Sequence, residues 1–405
     1  MRVLHLVKTN DGAAWALWQV EELIKLGADV HVVLPNRPGK WSRAWEESGA
    51  ALSFADLDFP LRQPWHLGAA CRQLRALVER VRPDLLHSHH VGTTMVMRLA
   101  LGTQYPMPRI FEVPGPLHLE HGLYRRWDLQ SAGPQDYWLA TSRCILEHYR
   151  NAGISTGKSF LAYSGIRTEG FSAERTGTLR RHLDISNDQL VVGNISYMYA
   201  PKFYLGQSQG LKRHEDLIDA LAIVTKRRDD VVGVLAGGAW NGADWYEAKL
   251  RRRAARASRV LLPGYLPHEM ARSAWADFDC VIHVPSSENC GGVLEPLLAR
   301  VPTIAGRVGG LGELVRDGST GTTVPIRQPD QLAARILEVI DDLPRRREWA
   351  ENGRRMAGKM FDVRRTAAEV YQIYQHVLNP SVPAPPPFFW NARDLAPDVT
   401  ARSFQ

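Results

Sequence analysis

Two successive α/β domains, each a parallel sheet wound on both faces by helices, are the fold this sequence predicts. Three observations predict it. The chain has 405 residues, too many for one hydrophobic core and enough for two domains of roughly 150–200 residues each. Short apolar runs bounded by turn residues alternate with helix-length segments whose apolar residues recur every three or four positions. This alternation occurs twice, on either side of a polar stretch without a strong period, which is the pattern of parallel sheets covered on both faces. Two such domains facing each other are expected to hold a ligand in a cleft at the carboxyl ends of both sheets.

The elements follow in order. In the first half, strands are expected at 3–7, 30–34, 85–86, 110–113 and 137–140, and helices at 13–26 and 67–81. The segment 163–188 is rich in Ser, Thr, Gly and Arg and is expected to connect the domains. Strands are then expected at 191–195, 231–236, 260–262, 280–284 and 303–305, with helices at 211–225, 244–258, 268–275, 293–300 and 330–340. The resulting domains are 1–170 and 188–360, followed by an extension over 361–405. Within it, Ala367, Val370, Ile373, Tyr374 and Val377 fall at helical spacing, so 364–378 is expected to form a helix that packs back on the first domain. Residues 380–387 are proline-rich and extended. Phe388, Phe389 and Trp390 either anchor the tail or belong to a disordered end.

Composition excludes several classes. With 44% hydrophobic and 23% charged residues, 33 Gly and 25 Pro, the chain is neither disordered, collagenous nor coiled-coil. No apolar run approaches the ~18 residues of a membrane-spanning helix. The opening residues read as a first strand and not as a signal peptide. Cys71, Cys144, Cys280 and Cys290 show no paired spacing, so neither a disulfide framework nor a zinc site is expected and the compartment is read as reducing and cytoplasmic. The net charge of +7 suits a phosphate-bearing substrate, an anionic membrane or nucleic acid. Nucleic acid is the weakest of the three, because no helix-turn-helix, RNA-binding or zinc-finger pattern is present.

One segment concentrates the chemistry: Pro285-Ser-Ser-Glu288-Asn289-Cys-Gly291-Gly292-Val293-Leu-Glu295, continuing to Gly309-Gly310-Leu-Gly-Glu313. It follows an expected strand, and a helix is expected to begin near Gly292 or Val293. Such a junction turns backbone N–H groups and the positive end of the helix dipole toward an anion. The flanking carboxylates Glu288 and Glu295 would repel a phosphate, so they suit the hydroxyls of a sugar and a ribose instead. Lys202 and Lys212, two of only nine lysines, flank one glycine-bearing loop.

This order of residues resembles the signature of retaining nucleotide-sugar glycosyltransferases of the GT-B fold, family 4, whose two domains are Rossmann-like. Segments 192–195, 210–220, 234–238, 262–265 and 317–321 fall in the family's order, and 84–89 and 163–166 match weaker landmarks. The resemblance runs to about residue 340. It implies that Glu295 binds the ribose, that Glu288 with the Gly291 and Gly292 amides holds the transferred sugar, that Asn289 and Val293 belong to the donor-binding set, and that Lys212 neutralises the diphosphate. On the first domain it implies roles for Gly12 and Ala13, in the first strand–helix turn, and for His118, which competes with His121 to face the sugar. No cofactor and no metal are implied; a UDP-sugar is the commonest donor. The acceptor would be a saccharide, a lipid-linked saccharide in bacterial surface-polysaccharide assembly, or a small natural product.

The sequence departs from that pattern. Six residues separate Glu288 from Glu295 where seven are usual, and Gly12 stands alone where a glycine pair is usual. Tyr197 occupies the place read as the family's arginine on the diphosphate, leaving Lys202 or Arg213 to supply the charge. A degenerate protein that binds nucleotide-sugar without transfer fits these departures, while an epimerase, a phosphorylase and a nucleic-acid-binding module are further rivals. His87, His89, His90, His118 and His121 raise a metal site as a rival reading. Asp56-Leu-Asp58 reads as a solvated loop. Arg72, Arg75, Arg80 and Arg82, interleaved with apolar residues, fit a plain amphipathic core helix or contact with anionic lipid at the inner membrane face.

Overall fold

The computed structural model describes residues 1–61 and 63–390. The chain forms two compact units, Met1–Thr168 with Met360–Phe389, and Glu169–Lys359 with Trp390.

The first unit is built on seven strands: β1 (Arg2–Leu6), β2 (Asp29–Leu34), β3 (Ala51–Phe54), β4 (Leu85–Ser88), β5 (Arg109–Val113), β6 (Asp136–Ala140) and β7 (Ser159–Leu161). They are ordered β3-β2-β1-β4-β5-β6-β7 and all pair in parallel. The order reverses between β1 and β4, so the chain winds over both faces of the sheet. Alternate residues of β1 divide the two cores. Val3 packs with the helices Ala14–Lys25 and Val363–Leu378, while Leu4 and Leu6 pack with Leu67–Val81 and Val91–Leu101.

The second unit repeats the plan with β8 (Leu190–Ile195), β9 (Val231–Ala236), β10 (Val260–Gly264), β11 (Cys280–His283), β12 (Thr303–Gly306) and β13 (Gly321–Val324). Their order is β10-β9-β8-β11-β12-β13, again parallel, with the reversal between β8 and β11. Its core joins Val192, Val231 and Ile282 to the helices His214–Arg227 and Pro329–Asp341.

Several expectations shift. β3, β7 and β13 are strands where none was expected: β3 is a partly exposed edge, β7 has three residues, and β13 reads Gly-Thr-Thr-Val. The helix expected from 211 begins at His214, because Arg213 turns left-handed (φ 53°) as its N-cap. Lys212 and Arg213 therefore lie in the turn before the helix. The helix expected near 292 begins at Gly291. The stretch read as an interdomain connection contains a six-residue helix, Thr178–Leu183. A buried carboxylate a hundred residues away caps its start: Asp277 accepts from the Gly177 and Leu179 amides at 2.6 and 2.7 Å. No local pattern carries that signal.

The helix Val363–Leu378 buries Val363, Ala367, Val370, Ile373, Tyr374 and Val377 in the first unit, alongside Ala14–Lys25. Beyond it, Arg365 lies over the Phe388 ring and Arg143 over Phe389, at 4.1 and 4.3 Å. Residues 391–405 of the extension lie outside the described residues. In Leu67–Val81 the apolar residues Leu74, Leu77, Val78 and Val81 are buried and the arginines Arg72, Arg75 and Arg80 are exposed. Its apolar face is thus committed to the core. Among the described residues no helix is long and apolar enough to cross a membrane.

Candidate active site

The second unit gathers its polar side chains where the sheet reverses direction. β11 ends in His283, the loop that follows carries Glu288, and the helix Gly291–Leu298 carries Glu295. Lys212 reaches Glu288 from the turn before His214–Arg227, and its ammonium pairs with Glu288 Oε2. His283 Nε2 lies 3.0 Å from the same oxygen, and the Asn289 amide donates to Oε1 at 3.2 Å. Burial by itself would push this carboxyl up; Lys212 first, then His283, bring it down to about 2, so Glu288 is a carboxylate at neutral pH.

The neighbours are held neutral. His283 is lowered by burial and by Lys212. His214, whose Nε2 lies 3.2 Å from Ser196 Oγ, is lowered to about 3 by burial, then Lys212 and His283. Tyr199 is pushed up to about 12 by burial and by the charge of Glu288. The site therefore sets one ion pair among neutral donors and acceptors, electrostatics suited to a polar ligand.

The remaining expected residues of this unit divide. Glu295 accepts from the Trp275 indole N–H at 2.8 Å, which orients its carboxylate. Gly291 is exposed, and a Cβ there would meet nothing within 4 Å. Gly292 is different, since a Cβ there would sit 2.0 Å from His283 Nε2. Gly309 (φ 54°) wraps the loop from outside, where a Cβ would fall 1.7 Å from the Glu288 carbonyl oxygen. Val293 is buried, and its amide donates to the Cys290 carbonyl at 3.3 Å. Arg213 is 7% exposed and pairs with Asp216 at 2.5 Å, so its charge is compensated within the protein. Lys202 stands half-buried before a short 3-10 turn, Phe203–Leu205. Tyr197 packs against Trp240 and Tyr265, with ring centroids 4.8 and 6.3 Å away.

In the first unit, the β1–helix turn places Ala13, and not Gly12, in the left-handed conformation (φ 58°). His118 turns Nε2 toward Tyr149 Oη (3.1 Å) and Asp128 Oδ2 (3.4 Å). Asp128 is brought down to about 2, against its burial, by His118, Arg98 and Tyr149. His121 lies against the Tyr124 ring instead, 4.9 Å between centroids.

His87 and His89 are brought together with His5, which the sequence did not single out. Each offers a ring nitrogen within 4.8 Å of the others, within reach of one metal ion, but as they stand two of these nitrogens are hydrogen-bonded. His5 Nδ1 and His89 Nε2 are 2.8 Å apart, a hydrogen bond, whereas two imidazoles on one tetrahedral zinc keep roughly 3.4 Å. His87 Nδ1 meets Tyr374 Oη at 2.5 Å, and His87 Nε2 and His89 Nδ1 lie 3.1 and 3.3 Å from Glu112 Oε2. As arranged, His5 and His89 hydrogen-bond to each other and His87 to Tyr374, while His87 Nε2 and His89 Nδ1 face the Glu112 carboxylate without hydrogen-bond geometry.

Asn194, Ser196, Tyr199, His214, Trp275 and His283 escaped sequence reasoning. His283 ends β11 and Asn194 lies one residue before the end of β8, and the pairing of these strands makes them neighbours.

Comparison with known proteins agrees with this architecture. The family described as Glycosyltransferase Family 4 matches residues 17–169, and the family described as Glycosyl transferases group 1 matches residues 199–356. The chain belongs to the GT4-type glycosyltransferases of the GT-B fold. An alpha-D-kanosaminyltransferase of Streptomyces kanamyceticus is 29% identical over 175 residues, 43% of this chain and 45% of that protein. A D-inositol 3-phosphate glycosyltransferase of Frankia alni is 30% identical over 233 residues, 54% of this chain and 53% of that protein. The chain thus spans about half the length of the curated relatives it matches. Among solved structures, Anabaena Alr3699/HepE in complex with UDP and glucose superposes with a TM-score of 0.76 at 20% identity, over 93% of this chain and 99% of that one.

Proposed function

We propose that the chain is a retaining glycosyltransferase that moves a hexose-type sugar from a nucleoside-diphosphate sugar, UDP first among them, to an acceptor hydroxyl. The observation that carries this reading is the Lys212–Glu288 ion pair beside the exposed Gly291 amide end of a helix that also bears Glu295. In this reading Glu288 and the Gly291 and Gly292 amides hold the transferred sugar, Glu295 takes the ribose, and Lys212 exchanges Glu288 for the diphosphate. Lys202 adds positive charge, since Arg213 is committed to Asp216. The bond from the anomeric carbon to the phosphate oxygen breaks, the acceptor oxygen bonds to that carbon on the same face, and the departing phosphate oxygen takes the acceptor's proton. The protein positions the reactants and stabilises the leaving charge, without a metal or cofactor. Gly12, Ala13 and His118 are assigned to the acceptor-side unit.

A saccharide or lipid-linked acceptor in the cytoplasm is the first choice, with the exposed arginines of Leu67–Val81 available to an anionic surface. A small natural product is the second, favoured by the likeness to a kanosaminyltransferase.

The test is a panel of UDP-, GDP-, ADP- and TDP-glucose with wild type and Glu295→Ala, following binding and slow hydrolysis. One nucleotide should bind selectively and weaken about tenfold or more in the variant, as the loss of a charged hydrogen-bond acceptor would cost. If the folded protein bound none at millimolar concentration, the reading would fall.

A further inference from the structure

We propose that His283 is a positioning residue for Glu288: it aims the carboxylate that holds the transferred sugar, and residue 292 is glycine to leave His283 room. The proposal rests on the role given to Glu288 above.

His283 is the last residue of β11 and is 1% exposed, as is Asn194 near the end of β8. The two meet at 2.9 Å, Asn194 Nδ2 against His283 Nδ1. An ionised carboxylate only accepts, so the proton of the neutral ring sits on the Nε2 that faces Glu288, and Nδ1 is left to accept from the Asn194 amide nitrogen. That N–H points at Glu288 Oε2, 3.0 Å away. The Asn194 contact matches the tautomer in which the histidine faces a carboxylate with a proton and not with a lone pair.

Lys212 shares this oxygen with His283, but the two donors differ. The ammonium is a cation for which a diphosphate would compete; the imidazole is buried and neutral, and its Nε2–H is committed to Glu288. When Lys212 turns to the leaving group, the Nε2–H of His283 and the backbone amide of Asn289 keep the carboxylate plane fixed. A neutral donor also leaves the full negative charge of Glu288 to face the positive charge that develops on the sugar ring.

Gly292 supplies the independent observation. Its φ is not positive, so its backbone does not call for glycine. A Cβ there would instead enter the imidazole, 2.0 Å from Nε2, 2.6 Å from Cδ2 and 2.7 Å from Cε1. The ring position and the glycine are parts of one arrangement.

The experiment compares wild type, His283→Ala, His283→Gln, Gly292→Ala and the double variant His283→Ala/Gly292→Ala. Its substrate is whichever donor of the four-glucose panel the wild type hydrolyses fastest. His283→Ala and Gly292→Ala should each lower kcat about tenfold or more, because a misaimed group costs rate steeply. The dissociation constant of the matching nucleoside diphosphate should stay within about twofold. His283→Gln, which keeps an N–H donor, should recover part of the rate. The double variant should be no slower than His283→Ala, since removing the ring removes the clash. Unchanged kcat in both histidine variants, or additive losses in the double variant, overturns the proposal while the panel result stands. A wild type that hydrolyses none of the four donors overturns the role of Glu288 and this inference with it.

Discussion

Ala13 holds a conformation that its side chain resists. It is the N-cap of Ala14–Lys25 with φ 58° and ψ 36°, and that conformation costs an L-residue with a Cβ roughly 1–2 kcal/mol. Gly12, beside it, would meet only Thr9 Cγ2, at 3.8 Å, if it carried a Cβ. Ala13→Gly should therefore stabilise the protein by about 0.5–1 kcal/mol, the relief exceeding the added entropy of the unfolded chain. Denaturant unfolding measures this, and a lower midpoint in the variant would defeat the argument. The same contrast separates what the sequence revealed about the site from what it did not. Glu288, Glu295 and Lys212 were legible because glycines, carboxylates and a lysine sit in ordered motifs. His283, Asn194 and Tyr199 were not, because 89 positions separate the first two and the environment of Tyr199 exists only after folding.

At the scale of elements, periodicity told the truth where an element buries one face. Val363–Leu378 shows this: its apolar residues at helical spacing are the ones in the first unit's core. Ile373 is fully buried there, so Ile373→Ala should cost about 2–5 kcal/mol, the range for removing a large aliphatic side chain from a core. A loss below about 1 kcal/mol in equilibrium unfolding would mean that the helix contributes little to that core. Periodicity failed where an element is short or lies at an edge. β3 alternates little and is half-exposed, and β7 is too short to show a period. The helix Thr178–Leu183 depends on the distant Asp277 for its cap. Such elements owe their form to partners remote in sequence, which a local window does not contain.

For the whole molecule, the repeated sheet order was foreshadowed by the repeated strand–helix alternation; the buried histidines are a consequence that only the folded chain exposes. In the first unit His5, His87 and His90 are lowered by burial first, and in the second unit so are His214 and His283. His87 is lowered to about 4 and His214 to about 3, whereas an unfolded histidine titrates near 6.5. The unfolded chain therefore binds protons first as pH falls, and stability is lost progressively from about pH 6.5 toward the folded values. Glu112 and Glu288, held low by their partners, add a second loss that begins near pH 4.5. Each unit carries groups of both kinds, so neither should be spared. Thermal unfolding at constant ionic strength should show the midpoint falling by roughly 5 °C or more between pH 7 and pH 5, well before ordinary carboxylates titrate. A midpoint that stayed level to pH 4.5 would require these histidines to be protonated in the folded chain, which their burial beside Lys8 and Lys212 opposes.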